Sequence, residues 1–298
     1  MTSKTIFAWP LAATLAFVAA PSMAQDSGDD MSTTTTTSGT TTDGFNRDRH
    51  FDGVYIQGAG GIGMLGKNNG TFGFDTNRDG NYNDNVNTVL GANAFSPGFA
   101  NCGALTSTRG GGCSTDKTGA EYAVRIGLDK RMGDVVIGGL IEGSRNESVD
   151  RSTAYSTSPA FYRIDRKLDY AISARARLGF TPGGGALFYG TGGVSYGKIK
   201  HDFTTSNTSN AFAEDRDDKM VWGWQAGGGT EIMLSDHLSL GLEYLYSRYN
   251  DNKYSVRVSQ GTAPDTNPFL LNGGGTNFRL QDKHFDTHAV RAVVGLRF

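Results

Sequence analysis

Along most of this chain, apolar and polar residues alternate one by one. The final stretch is the clearest: Val290, Ala292, Val294, Leu296 and Phe298 share one face, and Arg291, Gly295 and Arg297 share the other. A period of two is the signature of a β-strand, whose successive side chains point to opposite faces. Eight such segments follow the N-terminal fifty residues, over 51–64, 119–132, 135–147, 166–180, 186–203, 219–234, 238–250 and 284–298. On their apolar faces lie Tyr122, Val124, Ile126 and Leu128 in the second segment, and Leu240, Leu242, Tyr244 and Tyr246 in the seventh. The first segment is the weakest, with many glycines between Val54, Ile56, Ile62 and Met64. The connections alternate in length. Gly133-Asp134, Thr181 to Gly185 and Ser235-Asp236-His237 are tight turns, whereas 65–118, 148–165, 204–218 and 251–283 are long and polar.

Short turns at one end and long loops at the other predict an all-β fold, an eight-stranded antiparallel transmembrane β-barrel with periplasmic turns and extracellular loops. In such a wall lipid replaces the protein core on the outside, and no charge interrupts the middle of the apolar faces. Trp222, Trp224, Tyr244, Tyr246 and Tyr196 fall near the loop ends of their strands, and Phe180 and Phe298 near the turn ends. Rings that are part apolar and part polar favour the two headgroup levels, so these positions predict two aromatic girdles.

The other face carries the charges. Glu121, Glu142, Glu231 and Glu243 oppose Arg125, Arg175, Arg177 and Arg291, four of each sign. The interior of an eight-stranded barrel is just wide enough for side chains to fill it. Charges held there must be paired and hydrogen-bonded. Equal numbers therefore predict an interlocked ion-pair plug; the competing functional reading is a narrow pore whose arginines select anions.

Composition narrows the class. The 298 residues include 42 Gly, 12 Tyr, 17 Phe and only 7 Pro, which suits strands that curve tightly. A formal net charge of −2 without a basic stripe argues against nucleic acid as a partner. The one long apolar run, Ile6 to Ala20, follows Lys4, is broken by Pro10 and leads into Ser22-Met23-Ala24. It reads as a secretory signal peptide, residues 1–24, too short to span a bilayer comfortably. Residues 25–50, with threonine unbroken from 33 to 37, hold too few apolar side chains to order themselves and read as a flexible periplasmic arm. The barrel then occupies 51–298.

Cys102 and Cys113 lie close together in a Gly- and Ser-rich loop of an exported chain, where such a pair reads as a disulfide. Closing a loop of that size restricts the unfolded chain by roughly 3 kcal/mol in the entropy account. The first long loop also holds Asp75, Asn77, Asp79, Gly80, Asn81 and Asp84. Asp-x-Asn-x-Asp-Gly is the opening spacing of a calcium loop, with oxygens converging on a hard cation and glycine allowing the sharp turn. Val86 stands where a bidentate glutamate belongs, with Asp84 as the substitute. A plain Asn/Asp/Gly turn is the competing reading, and no other cofactor is indicated. His284 and His288 share a strand face but lie far apart, and Gly58-x-Gly60-x-x-Gly63 sits in a wall strand without a following helix. Neither carries metal or dinucleotide chemistry on that placement.

Three segments resemble a known family. Trp222 to Glu231, Leu240-Gly241-Leu242-Glu243-Tyr244-Leu245-Tyr246, and Val290 to Phe298 are similar to the small outer-membrane β-barrels of opacity and surface-antigen type, often labelled porin-family proteins. The resemblance covers about residues 51–298. It implies an envelope-structural, adhesive or weakly pore-forming protein of the cell outer membrane. The expected function is accordingly non-catalytic, contributing to envelope integrity and surface presentation. The alternative is porin-like passage of small solutes through a narrow lumen, and a third reading is a rim enzyme acting on lipid. The expected partners are outer-membrane lipids and lipopolysaccharide, and the expected state is a monomer.

Overall fold

The computed structural model describes residues 50–66, 70–95, 116–157 and 160–298. The signal peptide, nearly all of the arm and the Cys102–Cys113 pair lie outside them. The strands are β1 (Gly53–Leu65), β2 (Phe72–Asp75), β3 (Gly119–Met132), β4 (Val135–Asn146), β5 (Val149–Ser156), β6 (Ala160–Phe180), β7 (Ala186–Thr205), β8 (Ala211–Asp215), β9 (Lys219–Met233), β10 (Leu238–Asn250), β11 (Ser255–Ser259), β12 (Thr276–Leu280) and β13 (His284–Arg297).

Eight of these close on themselves. Each of β1, β3, β4, β6, β7, β9, β10 and β13 pairs antiparallel with two others of the set, the circuit being completed by β1 with β13 and β4 with β6. Closure leaves no unpaired strand edge, the condition for a sheet to cross hydrocarbon. The strands fall where alternation placed them. Val124, Leu128, Ile141, Ile172, Val194, Leu242 and Val294 are exposed on the outer wall, while Ala123, Arg125, Glu142, Ser173, Ser195, Glu243 and Val293, of opposite parity beside them, are buried. At the tight turn between β3 and β4, Gly133 supplies a positive φ of 64° that residues with a Cβ rarely adopt.

The loop side differs from expectation. The connections, read from the sequence only as long and polar, build a second sheet, in the order β2-β12-β11-β8. Phe72, Phe74, Val86, Phe95, Tyr162, Val256, Val258, Phe269 and Phe278 are buried together beneath it. β6 begins six residues earlier than the alternation suggested, at Ala160, and this extension pairs with β5 and contributes Tyr162 and Ile164 to the same cluster. The rings interlock: Phe95 lies 4.5 Å from Phe74 and 5.4 Å from Tyr162, centroid to centroid. Aromatic pairs at these separations add about 0.5–1.5 kcal/mol beyond the area they bury. The extracellular loops therefore have a hydrophobic core of their own.

Candidate functional site

The inward residues of the barrel form one connected ionic network, arranged in two tiers. Register builds the first. Arg125 of β3 stands directly across from Glu142 of β4, and Glu243 of β10 across from Arg291 of β13. Arg291 donates to three carboxylates, at 3.1 Å to Glu121, 2.8 Å to Glu142 and 2.6 Å to Glu243. Arg125 donates to Glu243 at 2.7 Å, and Arg175 to Glu142. Tyr189 adds a hydroxyl donor to Glu243 at 2.7 Å. Three arginines thus face three glutamates, all of them buried.

The second tier lies towards the turns. Arg177 donates to Asp129 and to Glu231, while Arg297 donates to Asp129 at 3.0 Å and to Glu231 at 2.9 Å. Gln57 ties the tiers together: its carbonyl accepts from Arg125 at 2.7 Å and its amide donates to Glu231 at 3.0 Å. All eight charges singled out from the sequence meet in this network. Two further members, Asp129 and Arg297, were not among them, although both have the inward parity; they lie at the turn ends of β3 and β13.

Aromatic rings fill what the charges leave. The Arg177 guanidinium sits 3.9 Å from the Tyr189 ring centroid, and Arg297 lies 4.7 Å from that of Tyr55 and 5.0 Å from that of Phe51. A side chain at Gly127 would bring its Cβ within 2.3 Å of the Tyr55 ring, so the missing side chain is the room the tyrosine occupies. At the turn end, Phe51, Val136 and Leu187 are fully buried together. Phe51 holds a positive φ of 63°, and His50 Nδ1 lies 2.9 Å from the Gly184 carbonyl. The last residue assigned to the arm is therefore docked on the barrel mouth.

Towards the loops, Leu168, Ala171, Ile199, Tyr249 and Phe285 form an apolar layer. Beyond it lies a third charged group that the sequence did not reveal. The buried Arg166 pairs with Asp150 and with Asp251 at 3.3 Å, and His201 Nε2 lies 2.9 Å from Asp251. Burial raises the Asp251 carboxyl, but His201 and Arg166 outweigh it and hold the group below the usual aspartate range. The His201 ring stacks on Tyr254 at 4.0 Å. Its members come from β5, β6, β7 and the loop after β10, so no local spacing announces it. From turns to loops, apolar clusters and ion-paired layers alternate across the lumen. The arrangement fastens opposite walls together.

The acidic turn of the first loop is held by its own backbone. Asp75 accepts from the amides of Asp79 and Gly80, both at 3.0 Å. Asp79 accepts from the Asn81 amide at 2.8 Å, and Asn77 accepts from the Asp79 amide at 3.0 Å. Asp84 takes the amide and the hydroxyl of Thr76, each at 2.9 Å. The Asn77–Asp79 and Asp79–Asn81 bonds are Asx turns, in which a short side chain satisfies the backbone donor two residues on. Among the described residues no three His, Cys, Asp or Glu side chains converge as metal ligands. His288 Nδ1 instead lies 2.7 Å from the Tyr244 hydroxyl.

Several known proteins are similar to this chain. It is 31% identical over 124 residues to the 31 kDa outer-membrane immunogenic protein of Brucella melitensis, a match covering 42% of this chain and 51% of that protein. It is 28% identical over 93 residues to the 22 kDa outer membrane protein of Rhizobium leguminosarum bv. viciae, covering 31% and 39% respectively. The chain thus spans about half or less of the curated relatives it matches. Among solved structures, Neisserial surface protein A aligns with a TM-score of 0.36 at 12% identity, over 83% of this chain and 98% of that one. OprG from Pseudomonas aeruginosa aligns with a TM-score of 0.39 at 13% identity, over 84% and 98%. The outer membrane protein beta-barrel domain family matches residues 11–298. The chain belongs to that family, and its place is the cell outer membrane.

Proposed function

We propose that this protein stabilises the envelope and presents a rigid surface outside the cell, without catalysis and without an open channel. The observation that carries this reading is the continuity of filling. The two ionic tiers, the apolar layer and the Arg166 group stack across the lumen, and the aromatic core of the second sheet lies on their loop side, which supports a closed interior. A wall tied across its interior resists deformation, and loops packed on a core present a fixed surface. Planar-bilayer recording of the refolded protein tests it. The expected result is no steady conductance; large, stable openings would refute the closed lumen and favour passage of small solutes. In cells, deletion is expected to raise sensitivity to detergent without altering solute uptake.

A further inference from the structure

The outer wall of β6 and β7 changes character just beyond the aromatic girdle. Tyr170, Tyr196 and Trp222 are exposed there, with Tyr196 and Trp222 4.7 Å apart between centroids. Two and four residues past Tyr196 on the same face stand Lys198 and Lys200, about 7 and 13 Å further along the strand at about 3.3 Å per residue. That is headgroup height. Lys200 pairs in register with Lys167 of β6, a like-charge cross-strand pair that costs stability. Lys167 has no carboxylate within ion-pair distance among the described residues, whereas Lys200 reaches Asp169 at 2.9 Å. Asp169 is shared with Arg145 of β4 at 3.4 Å, and Lys198 reaches Asp218 at 2.8 Å. Four cations therefore face two carboxylates. The next rung towards the loops, Asp165 and Asp202, is balanced by Arg163 and Arg151, which lie 3.1 and 3.6 Å from Asp165. At the turn end of the barrel, Lys130 is matched by Asp52 at 2.9 Å.

We propose that this face, centred on Lys167, Lys198 and Lys200, binds the phosphate groups of a phosphorylated lipid of the outer leaflet. The inference deepens the envelope-stabilising reading and rests on it. An anion between Lys167 and Lys200 would turn the repulsive cross-strand pair into a bridge. The position beside exposed aromatic rings places the anion where a lipid headgroup lies, with its chains along the apolar wall below.

The test uses the refolded full-length mature protein in detergent micelles and bis-phosphorylated lipid A as probe, with binding read by native mass spectrometry and calorimetry. Each interfacial lysine is worth roughly fivefold in affinity for an anionic surface, so Lys167→Gln/Lys198→Gln/Lys200→Gln is expected to weaken binding on the order of a hundredfold. Dephosphorylated lipid A is expected to bind the wild type as weakly. Lys167→Gln alone, which breaks no ion pair, should weaken binding about fivefold with unchanged heat-modifiable gel mobility. Equal binding of the two lipid forms, or unchanged binding by Lys167→Gln and the folded triple variant, would overturn the proposal. So would displacement of the lipid by millimolar inorganic phosphate, which would mark a free-anion site. A conducting protein that nevertheless discriminates the lipid forms would refute the closed lumen and leave this site standing.

Discussion

Replacing Arg291 by methionine is the sharpest test of the interior. The arginine is buried and donates to Glu121, Glu142 and Glu243, so its removal leaves three carboxylates facing only Arg125 and Arg175. Taking one partner from a buried ion cluster typically costs about 3–5 kcal/mol, because the remaining charge is stranded in a poorly polarisable interior. Glu121 has Arg291 as its ion-pair partner within 4 Å and an Asn146 amide as its other hydrogen-bond donor. Adding Glu121→Gln to Arg291→Met therefore restores two charges of each sign. The double variant is expected to recover about 2 kcal/mol or more of the loss, a coupling within the range for residues of one network. The assay is urea unfolding in lipid vesicles, followed by tryptophan fluorescence and by heat-modifiable mobility. A single variant within about 1 kcal/mol of wild type, or a double variant as unstable as the summed single losses, would refute the account of a balanced, water-poor network.

Three further expectations concern the loops. Phe278 is buried at the centre of the extracellular core, so Phe278→Ala should cost about 3–5 kcal/mol there; limited proteolysis of intact cells should cut the loops while the barrel keeps its gel mobility. Asp251 has a lowered folded pKa, so its stabilisation is complete above the ordinary aspartate value near 4 and is lost as pH falls through the folded value. Loop protection measured by proteolysis should decline below about pH 4 in the wild type and show a flatter dependence in Asp251→Asn. In the acidic turn, Asp75→Ala removes the acceptor of two backbone amides and should loosen the loop equally with and without calcium; a millimolar calcium titration giving heat in the wild type and none in Asp79→Ala would show that the turn is a cation site.

The barrel was legible because the bilayer imposes its rule on every spanning strand. Residues 119–132 and 238–250 were delimited to the residue by apolar and polar alternation alone. The ionic tiers were legible through the same parity, up to the strand ends. Asp129 and Arg297 have the right parity but lie at the turns, where a charge reads equally well as solvated. The extracellular core was not legible. Its strands are four or five residues long, and Tyr254, Val256 and Val258, or Phe278 and Leu280, are brief alternations within polar surroundings. Their partners come from loops far apart in the chain, so only the closed barrel, by bringing those loops to one end, makes a core of them. Arg166 with Asp150, Asp251 and His201 was hidden for the same reason.

The shared core beneath the second sheet ties the fates of the loops together. Phe74, Tyr162 and the pair Val256 and Phe278 reach it from three of the four long connections. A graft that exchanges one whole loop for a foreign epitope would withdraw its neighbours' packing as well. Insertions would be tolerated instead at projecting tips, such as the turn where Leu90 is 92% exposed. Substitutions that leave the fold intact would accordingly be confined to exposed positions over a fixed interior, and a scaffold built on this barrel would keep the buried rings and vary only those tips.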